Sequence, residues 1–317
     1  MSSSTLESSP AVELKDTLKP PKKPSAKLPW LLLAPSLLVL GIMVGYPLAN
    51  LFIMSFQKYE RAQLMGVPAE WVGFKNYTDT LADPVFWTVL ARSFAFMVVC
   101  VVLTMVIGIL LALLMMRLNK FFRLLVSVGL LLAWAMPALA AVIVWGWIFD
   151  TQYGVVNNIL TKITGDNWMG HSWLINPWMF FLVATLIIVW QGVPFVAFTM
   201  YAGLTQVPGE VLEAASLDGA SPAQRFRLIM VPYVRSIIVV LIILSIIWDL
   251  RVFTQIFALQ GIGGIAEKTN TIGVYIYQMG MAQGHYGAAS AIAVILVFIM
   301  MGISFYYVRQ TVKEEQL

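Results

Sequence analysis

The sequence is poor in charge, in cysteine and in histidine, and each shortage excludes a class of protein. Charged residues make up 11% of its 317 residues, whereas soluble domains carry about a quarter. Cys100 is the only cysteine, so a disulfide within the chain is excluded. The two histidines, His171 and His285, supply no metal-ligand spacing, and no catalytic residue is predicted. These shortages argue against a disulfide-stapled domain, a metalloenzyme and an ordinary soluble enzyme.

Long apolar runs take the place of charge. Hydrophobic residues account for 60% of the chain, and the mean hydropathy is +0.82. Six runs have roughly the 20 residues that a helix needs to cross a bilayer. The sequence therefore predicts an all-α, polytopic membrane protein with six transmembrane helices. The predicted spans are residues 30–52, 94–116, 124–149, 178–204, 237–258 and 287–308.

The distribution of lysine and arginine predicts the orientation of these spans. Thirteen of the 20 basic residues lie in the two tails, in the turn between the second and third spans, and between the fourth and fifth. Since basic residues are enriched on the cytoplasmic side, both termini are predicted to be cytoplasmic. Residues 1–29 are predicted to be a disordered tail, residues 30–309 the membrane domain and residues 310–317 a second tail. The net charge of +4 does not indicate nucleic-acid binding.

A polar segment, residues 205–232, separates the fourth and fifth predicted spans. Its spacing predicts a short helix over 208–218 and a second helix from Pro222 to about Val231. Gly219 is expected to take the left-handed conformation between them, and Ser221 and Gln224 to form a capping box. The spacing alone fits both a docking element for a partner and helices that only pad the membrane surface.

The same segment resembles a known signature. Glu-Ala-Ala, then a glycine after three residues, then an isoleucine and a proline, is similar to the EAA motif of binding-protein-dependent ABC importer permeases. Val231 stands where the family has leucine. The resemblance implies a cytoplasmic coupling helix that docks on a separate ATPase subunit. The residues that it assigns to this coupling role are Glu213, Ala214, Ala215, Asp218, Gly219, Ile229 and Pro232.

Further stretches resemble the carbohydrate branch of these permeases, of the maltose and glycerol-phosphate type. They are VGFKNYTDTLADPVFW, YGVVNNIL, FTQIFALQGIGG and TIGVYIYQMGMAQGHYGAASA. The resemblance implies a permease that imports a sugar, with a di- or oligosaccharide preferred, across a bacterial plasma membrane. Its implied partners are a second, homologous permease, two ATP-binding subunits, an external solute-binding protein and membrane lipid. Thr254 replaces an aspartate of many relatives, so substrate contacts are not copied from them.

Energy for such import is expected to come from another chain. The sequence has no GxxxxGK[ST] phosphate loop, and GIGGIAEKT has Glu267 where the glycine before lysine belongs. No cofactor is therefore predicted on this chain, and ATP and magnesium are expected on the partner ATPase subunits.

Polar groups inside apolar runs are candidates for the substrate pathway, because such groups are costly in a membrane. Aromatic faces, amides, a carboxylate and a guanidinium suit the faces and hydroxyls of a sugar. The candidate substrate-binding residues are Trp190, Gln191, Trp248, Asp249, Arg251 and Gln255. In a helix, Asp249 and Arg251 would point to different faces. Alternatively, Asp249 and Arg251 meet a partner subunit or a lipid headgroup, and Gln191 bonds a neighbouring helix.

Two other functions stay open at this point. An ABC permease for a non-sugar solute would share the coupling segment but not the sugar. A secondary transporter would use an ion gradient, and such folds often carry inverted repeats and buried proton-relay groups. The sequence shows no clear repeat, and Asp249 stands nearly alone among the predicted spans.

Overall fold

The computed structural model describes residues 27–314, and helices dominate this range. The only strands among these residues are β1 (Gln57–Lys58) and β2 (Glu70–Trp71), an antiparallel pair. The prediction of an all-α protein is confirmed. Of the predicted tails, residues 1–26 and 315–317 lie outside the described range.

The chain divides into two compact units after Asn50. The first unit contains α1 (Lys27–Leu40), the π-helical turn π1 (Gly41–Gly45) and the beginning of α2 (Tyr46–Met54). Residues 30–54 have a mean hydropathy of 2.1 and are long enough to cross a membrane. This stretch agrees with the first predicted span.

Two long parallel helices form the centre of the second unit. They are α5 (Pro84–Arg117) and α9 (Pro177–Leu204), and the aromatic rings of Phe96 and Phe181 lie 5.1 Å apart between them. Further along, a Cβ added to Gly108 would lie 2.5 Å from Val196, so glycine lets the two helices approach closely. Below, "the Pro84 end" and "the Arg117 end" denote the two ends of this helix pair.

The second predicted span begins too late, at residue 94. Asp83 caps α5 by accepting a hydrogen bond from the Val85 N–H, with Pro84 in the first helical position. Arg92 and Ser93 are polar but lie inside the helix, because each has a partner. Arg92 donates to the Asn270 carbonyl at 3.2 Å, and Ser93 accepts from the Ile272 N–H at 2.8 Å.

The third predicted span is not one continuous helix, and that prediction is wrong. It comprises α6 (Lys120–Ala135) and α7 (Ala138–Ile148), which are bent by 105° relative to each other. Pro137 causes the break because a proline forces the residue before it, Met136, into an extended conformation.

The fifth predicted span, 237–258, is also broken, and the prediction of one helix there is wrong. Helix α13 (Arg235–Leu250) ends in a tightened turn, in which the N–H groups of Arg251 and Val252 bond carbonyls three residues back. Helix α14 (Thr254–Ile262) then begins. The segment before α13 meets it at 76°.

Residues 27–314 contain four helices that are long and apolar enough to cross a membrane, or six candidates if each bent pair counts as one span. The last of the four lies at Tyr286–Tyr306, within α17 (Tyr286–Glu314), close to the sixth predicted span. The other helices not yet named are each too short to cross a membrane alone. They are α3 (Arg61–Leu64), α4 (Lys75–Ala82), α8 (Val155–Thr164), α10 (Gly209–Leu217), α11 (Pro222–Arg225), π2 (Phe226–Met230), α12 (Val231–Tyr233), α15 (Ala266–Thr269), α16 (Ile272–Tyr277) and π3 (Gln278–Ala282).

Candidate functional site

A cavity of about 490 Å³ opens beside the break between α13 and α14, and is called the central cavity here. Five of the six residues predicted to bind substrate line it, and Trp190 does not. Its lining residues are Trp134, Ile188, Gln191, Gly192, Phe195, Trp248, Asp249, Arg251, Val252, Phe253, Thr254 and Gln255.

The break in the fifth predicted span brings the charged residues together. Asp249 lies in the last turn of α13, Arg251 in the following turn and Gln255 in the first turn of α14. Asp249 and Arg251 are not on one continuous helix, because α13 ends at Leu250, and both line the cavity. The one ion pair among the described residues is Lys75 with Asp79, so neither cavity charge is used in a salt bridge there.

Two glutamine side chains connect three elements at the cavity wall. The Gln191 Nε2 on α9 donates to the Met136 carbonyl at 3.0 Å. The Gln255 Nε2 on α14 donates to the Gln191 Oε1 at 3.2 Å. Met136 lies at the break between α6 and α7, where the regular helix bonding stops. Gln191 therefore bonds a neighbouring helix, as the alternative interpretation expects, and also lines the cavity.

Aromatic rings supply the apolar part of the wall. The Trp248 ring packs against Phe195 with 5.0 Å between centroids. Trp134, which is not among the predicted substrate-binding residues, also lines the cavity. Trp134 lies three residues before Pro137, close to the break at which α6 ends.

Trp190 belongs to a different surface. Successive residues of a helix are rotated by about 100°, so Trp190 and Gln191 face different neighbours. Trp190 lines a second, mainly apolar cavity of about 500 Å³ together with Trp145, whose ring lies 6.0 Å away.

The predicted coupling residues lie on a compact helical hairpin at the Arg117 end. Helix α10 begins at Gly209, with Pro208 as its N-cap rather than its first residue. Gly219 has φ +83°, as its spacing predicts, and the Ala220 N–H bonds the Ala215 carbonyl at 2.9 Å.

The second helix of this hairpin starts at the predicted capping box. The Ser221 N–H donates to Gln224 Oε1 at 2.7 Å, and the Gln224 N–H donates to Ser221 Oγ at 3.3 Å. Helical structure continues through α11, π2 and α12, so Ile229 and Pro232 lie on this second arm.

The hairpin presents its motif residues to the surroundings. Glu213, Ala214, Asp218 and Gly219 are exposed, while Ala215 and Ile229 are half-buried. Leu217, at the end of α10, is 89% exposed.

A helical bundle with bent spans, a polar cavity at a break and an exposed helical hairpin define a membrane permease component. The family described as "Binding-protein-dependent transport system inner membrane component" matches residues 104–314, and the chain belongs to this family. The predicted resemblance is confirmed. The chain is thus the membrane component of a transport system that depends on a binding protein, and is not itself the ATP-hydrolysing enzyme.

Curated relatives match most of the chain. It is 40% identical over 288 residues to the diacetylchitobiose uptake system permease protein DasB of Streptomyces coelicolor, covering 91% of this chain and 88% of that one. It is 33% identical over 279 residues to the sulfoquinovosyl glycerol transport system permease protein SmoG of Agrobacterium fabrum, covering 88% of each. It is also 32% identical to the arabinooligosaccharides transport system permease protein AraP of Halalkalibacterium halodurans, covering 87% and 85%.

Among solved structures, the chain resembles one in a bacterial ABC transporter involved in the import of the acidic polysaccharide alginate. The TM-score is 0.77 at 21% identity, and the match covers 90% of this chain and 95% of that one. This likeness shows a shared fold.

Proposed function

We propose that this chain is one of two permease subunits of an ATP-driven ABC importer, and that it translocates a di- or oligosaccharide delivered by an external binding protein. The observation that carries the sugar assignment is the central cavity, in which two tryptophans, a carboxylate, a guanidinium and two amides converge. Relatives named for diacetylchitobiose and arabinooligosaccharide uptake support it.

In this proposal each group of the cavity wall has a part in holding the sugar. Trp248 and Trp134 face the apolar surfaces of the pyranose rings. Asp249 accepts hydrogen bonds from sugar hydroxyls, and Arg251 donates to them. Since a negative and a positive side chain line the same cavity, the wall favours a neutral solute with many hydroxyls over an ion of either sign.

Both termini and the hairpin of residues 205–232 are cytoplasmic in this proposal, and the Pro84 end faces the outside. A second permease completes the pathway, and two ATPase subunits carry ATP and magnesium. Closure of the ATPase dimer moves the hairpin, and the spans reorient around the cavity. Nucleotide drives this change only because it binds the two conformations with different affinity.

The function is tested with the complex purified after co-expression with its neighbouring genes and reconstituted in lipid. ATPase activity is measured with and without the co-encoded binding protein and a panel of neutral and charged sugars. We expect stimulation by the binding protein loaded with one neutral oligosaccharide. If no ATPase co-purifies and an ion gradient drives uptake, the chain is a secondary transporter. Stimulation by a loaded binding protein for a non-sugar solute would overturn the sugar assignment alone.

The docking role of the hairpin is tested at Gly219. Its left-handed φ disfavours most side chains, whereas asparagine tolerates this conformation. We expect Gly219→Trp to insert in the membrane normally and to abolish uptake, because the indole blocks the docking surface. Gly219→Asn is the matched control and should retain most uptake. Normal uptake by Gly219→Trp would count against docking at this turn.

A further inference from the structure

A third cavity lies at the Arg117 end, between the last turns of α5 and the helical hairpin. It has a volume of about 450 Å³ and is called the hairpin cavity here. It is separate from the central cavity and shares none of its residues. Its lining residues are Leu113, Met116, Arg117, Leu212, Pro222, Ala223, Arg225, Phe226 and Met230.

Two guanidinium groups line this cavity without a carboxylate beside them. Within residues 27–314, neither Arg117 nor Arg225 forms an ion pair, since Lys75 and Asp79 make the only one. The acidic residues of the hairpin, Glu210, Glu213 and Asp218, do not line the cavity. Two cations that share a cavity repel each other and favour an anion between them.

The rest of the cavity wall is apolar. Leu113 and Met116 come from α5, and Phe226 and Met230 come from the second arm of the hairpin. A small anion such as inorganic phosphate would pair with the arginines but leave this apolar wall uncovered. An amphiphile with a phosphate group and a hydrocarbon chain would contact the arginines with its phosphate and the apolar wall with its chain.

The cavity also lies where a lipid can reach it. On the same last turns of α5, Leu110 and Leu114 are 59% and 44% exposed, in a helix with a mean hydropathy of 3.1. Such a helix presents these leucines to acyl chains. These leucines lie on the same helix within one or two turns of the cavity residues Leu113 and Arg117, so a lipid that packs along α5 lies close to the cavity.

We propose that the hairpin cavity binds one anionic phospholipid, whose phosphate pairs with Arg117 and Arg225 and whose acyl chain packs on Met116 and Phe226. Basic pockets between membrane helices suit such headgroups, and guanidinium groups bind phosphate through directed, charge-assisted hydrogen bonds. The lipid joins α5 to the hairpin that carries the coupling motif. This assignment does not depend on which solute the permease moves.

The test uses the full chain in its co-expressed complex and measures retained lipid by native mass spectrometry. The probes are phosphatidylglycerol, phosphatidylcholine with the same acyl chains, and inorganic phosphate. We expect phosphatidylglycerol to bind at least about tenfold more tightly than phosphatidylcholine, because phosphatidylcholine has the same phosphate but also carries a choline cation that the two arginines repel. Arg117→Gln with Arg225→Gln should reduce phosphatidylglycerol binding to the level of phosphatidylcholine.

Arg227→Gln is the matched control, because Arg227 is exposed on the same arm but does not line the cavity. It removes one charge of the same kind and should leave lipid binding unchanged. Ala223→Trp tests the cavity without changing charge. Its indole fills the space beside Phe226 and should also remove phosphatidylglycerol, which keeps the proposal testable if the double arginine variant fails to assemble.

Three results would overturn the proposal. The first is equal retention of phosphatidylglycerol and phosphatidylcholine by the unsubstituted complex, as expected if a partner protein covers the cavity. The second is a loss with Arg227→Gln as large as with the double variant, which would indicate diffuse electrostatics. The third is displacement of phosphatidylglycerol by inorganic phosphate alone, which would show that the apolar wall contributes nothing to binding and would assign the cavity to a free anion.

Discussion

At the residue scale, Gln191 both holds the cavity wall together and faces the space where the solute would bind. Its Nε2 is bonded to the Met136 carbonyl, and its Oε1 accepts from Gln255. A sugar hydroxyl that enters the central cavity can donate to Gln191 Oε1 in place of the Gln255 amide. The bond to Met136 is different, because it satisfies a carbonyl at the break between α6 and α7. Gln191 is therefore expected to position the wall as well as to contact the solute.

This difference predicts unequal effects of two substitutions. Gln191→Ala leaves the partly buried Met136 carbonyl without this donor and should lower stability by about 1–3 kcal/mol. Gln255→Ala frees only an oxygen that faces the open cavity and can be hydrated, so its effect should stay below about 1 kcal/mol. Thermal unfolding of the purified complex in detergent measures both. Equal shifts in Tm for the two variants would contradict the positioning role of Gln191.

Gly219 illustrates what can be predicted at this scale. Glycine between two capped helices indicates the left-handed turn, and the structure has φ +83° there. The turn is a local property, set by neighbours in sequence. The hydrogen bond between Gln191 and Met136 could not be predicted in the same way, because it depends on a bend that lies 55 residues away in the chain.

At the scale of single elements, α8 depends on one buried amide. Asn157 is fully buried and its Nδ2 lies within 3.3 Å of the carbonyls of Asp150, Thr151 and His171. Its Oδ1 accepts from the Trp173 indole at 2.6 Å. The sequence singles out YGVVNNIL only by resemblance, and nothing in it distinguishes Asn157 from Asn158.

The structure does distinguish them, and this gives a matched pair of variants. Asn157→Ala leaves buried carbonyls and an indole N–H without partners, so we expect a loss of about 1–3 kcal/mol in stability. Asn158→Ala, next to it on the exposed face, should change stability by less than about 0.5 kcal/mol. Thermal unfolding of the complex compares the two. Equal tolerance of both substitutions would show that the α8 segment is not held through Asn157.

The errors in the predicted spans also belong to this scale. Hydropathy over 124–149 and 237–258 detects apolar length, but it does not detect a break. Pro137 was a readable signal for the first break. The second, at Arg251–Phe253, has no proline or glycine, and the Val252 carbonyl accepts from Thr271, a residue distant in sequence. That Asp249 and Arg251 both line one cavity therefore could not be predicted from helical spacing.

At the scale of the whole molecule, composition and motif were sufficient for the class of protein. The low charge and the long apolar runs predict a helical membrane protein, and the EAA motif predicts the permease family to which the chain belongs. The number of spans does not follow from composition alone. The described residues contain four candidate helices, and the number reaches six only when each of the two bent helix pairs is counted as one span. Orientation depends on the positions of lysine and arginine and stays a prediction.

Orientation can be measured because the single native cysteine is buried. Cys100 has no exposed surface, so a membrane-impermeant maleimide should leave the unsubstituted chain unlabelled. Asn158→Cys, on the exposed face of α8, should be labelled in right-side-out vesicles, because the proposed orientation places α8 outside. Gln206→Cys, exposed between α9 and α10, should be labelled only after the membrane is permeabilised. The reverse pattern would mean that the hairpin faces outward, where it could not contact a cytoplasmic ATPase, and the proposed mechanism of coupling would fail.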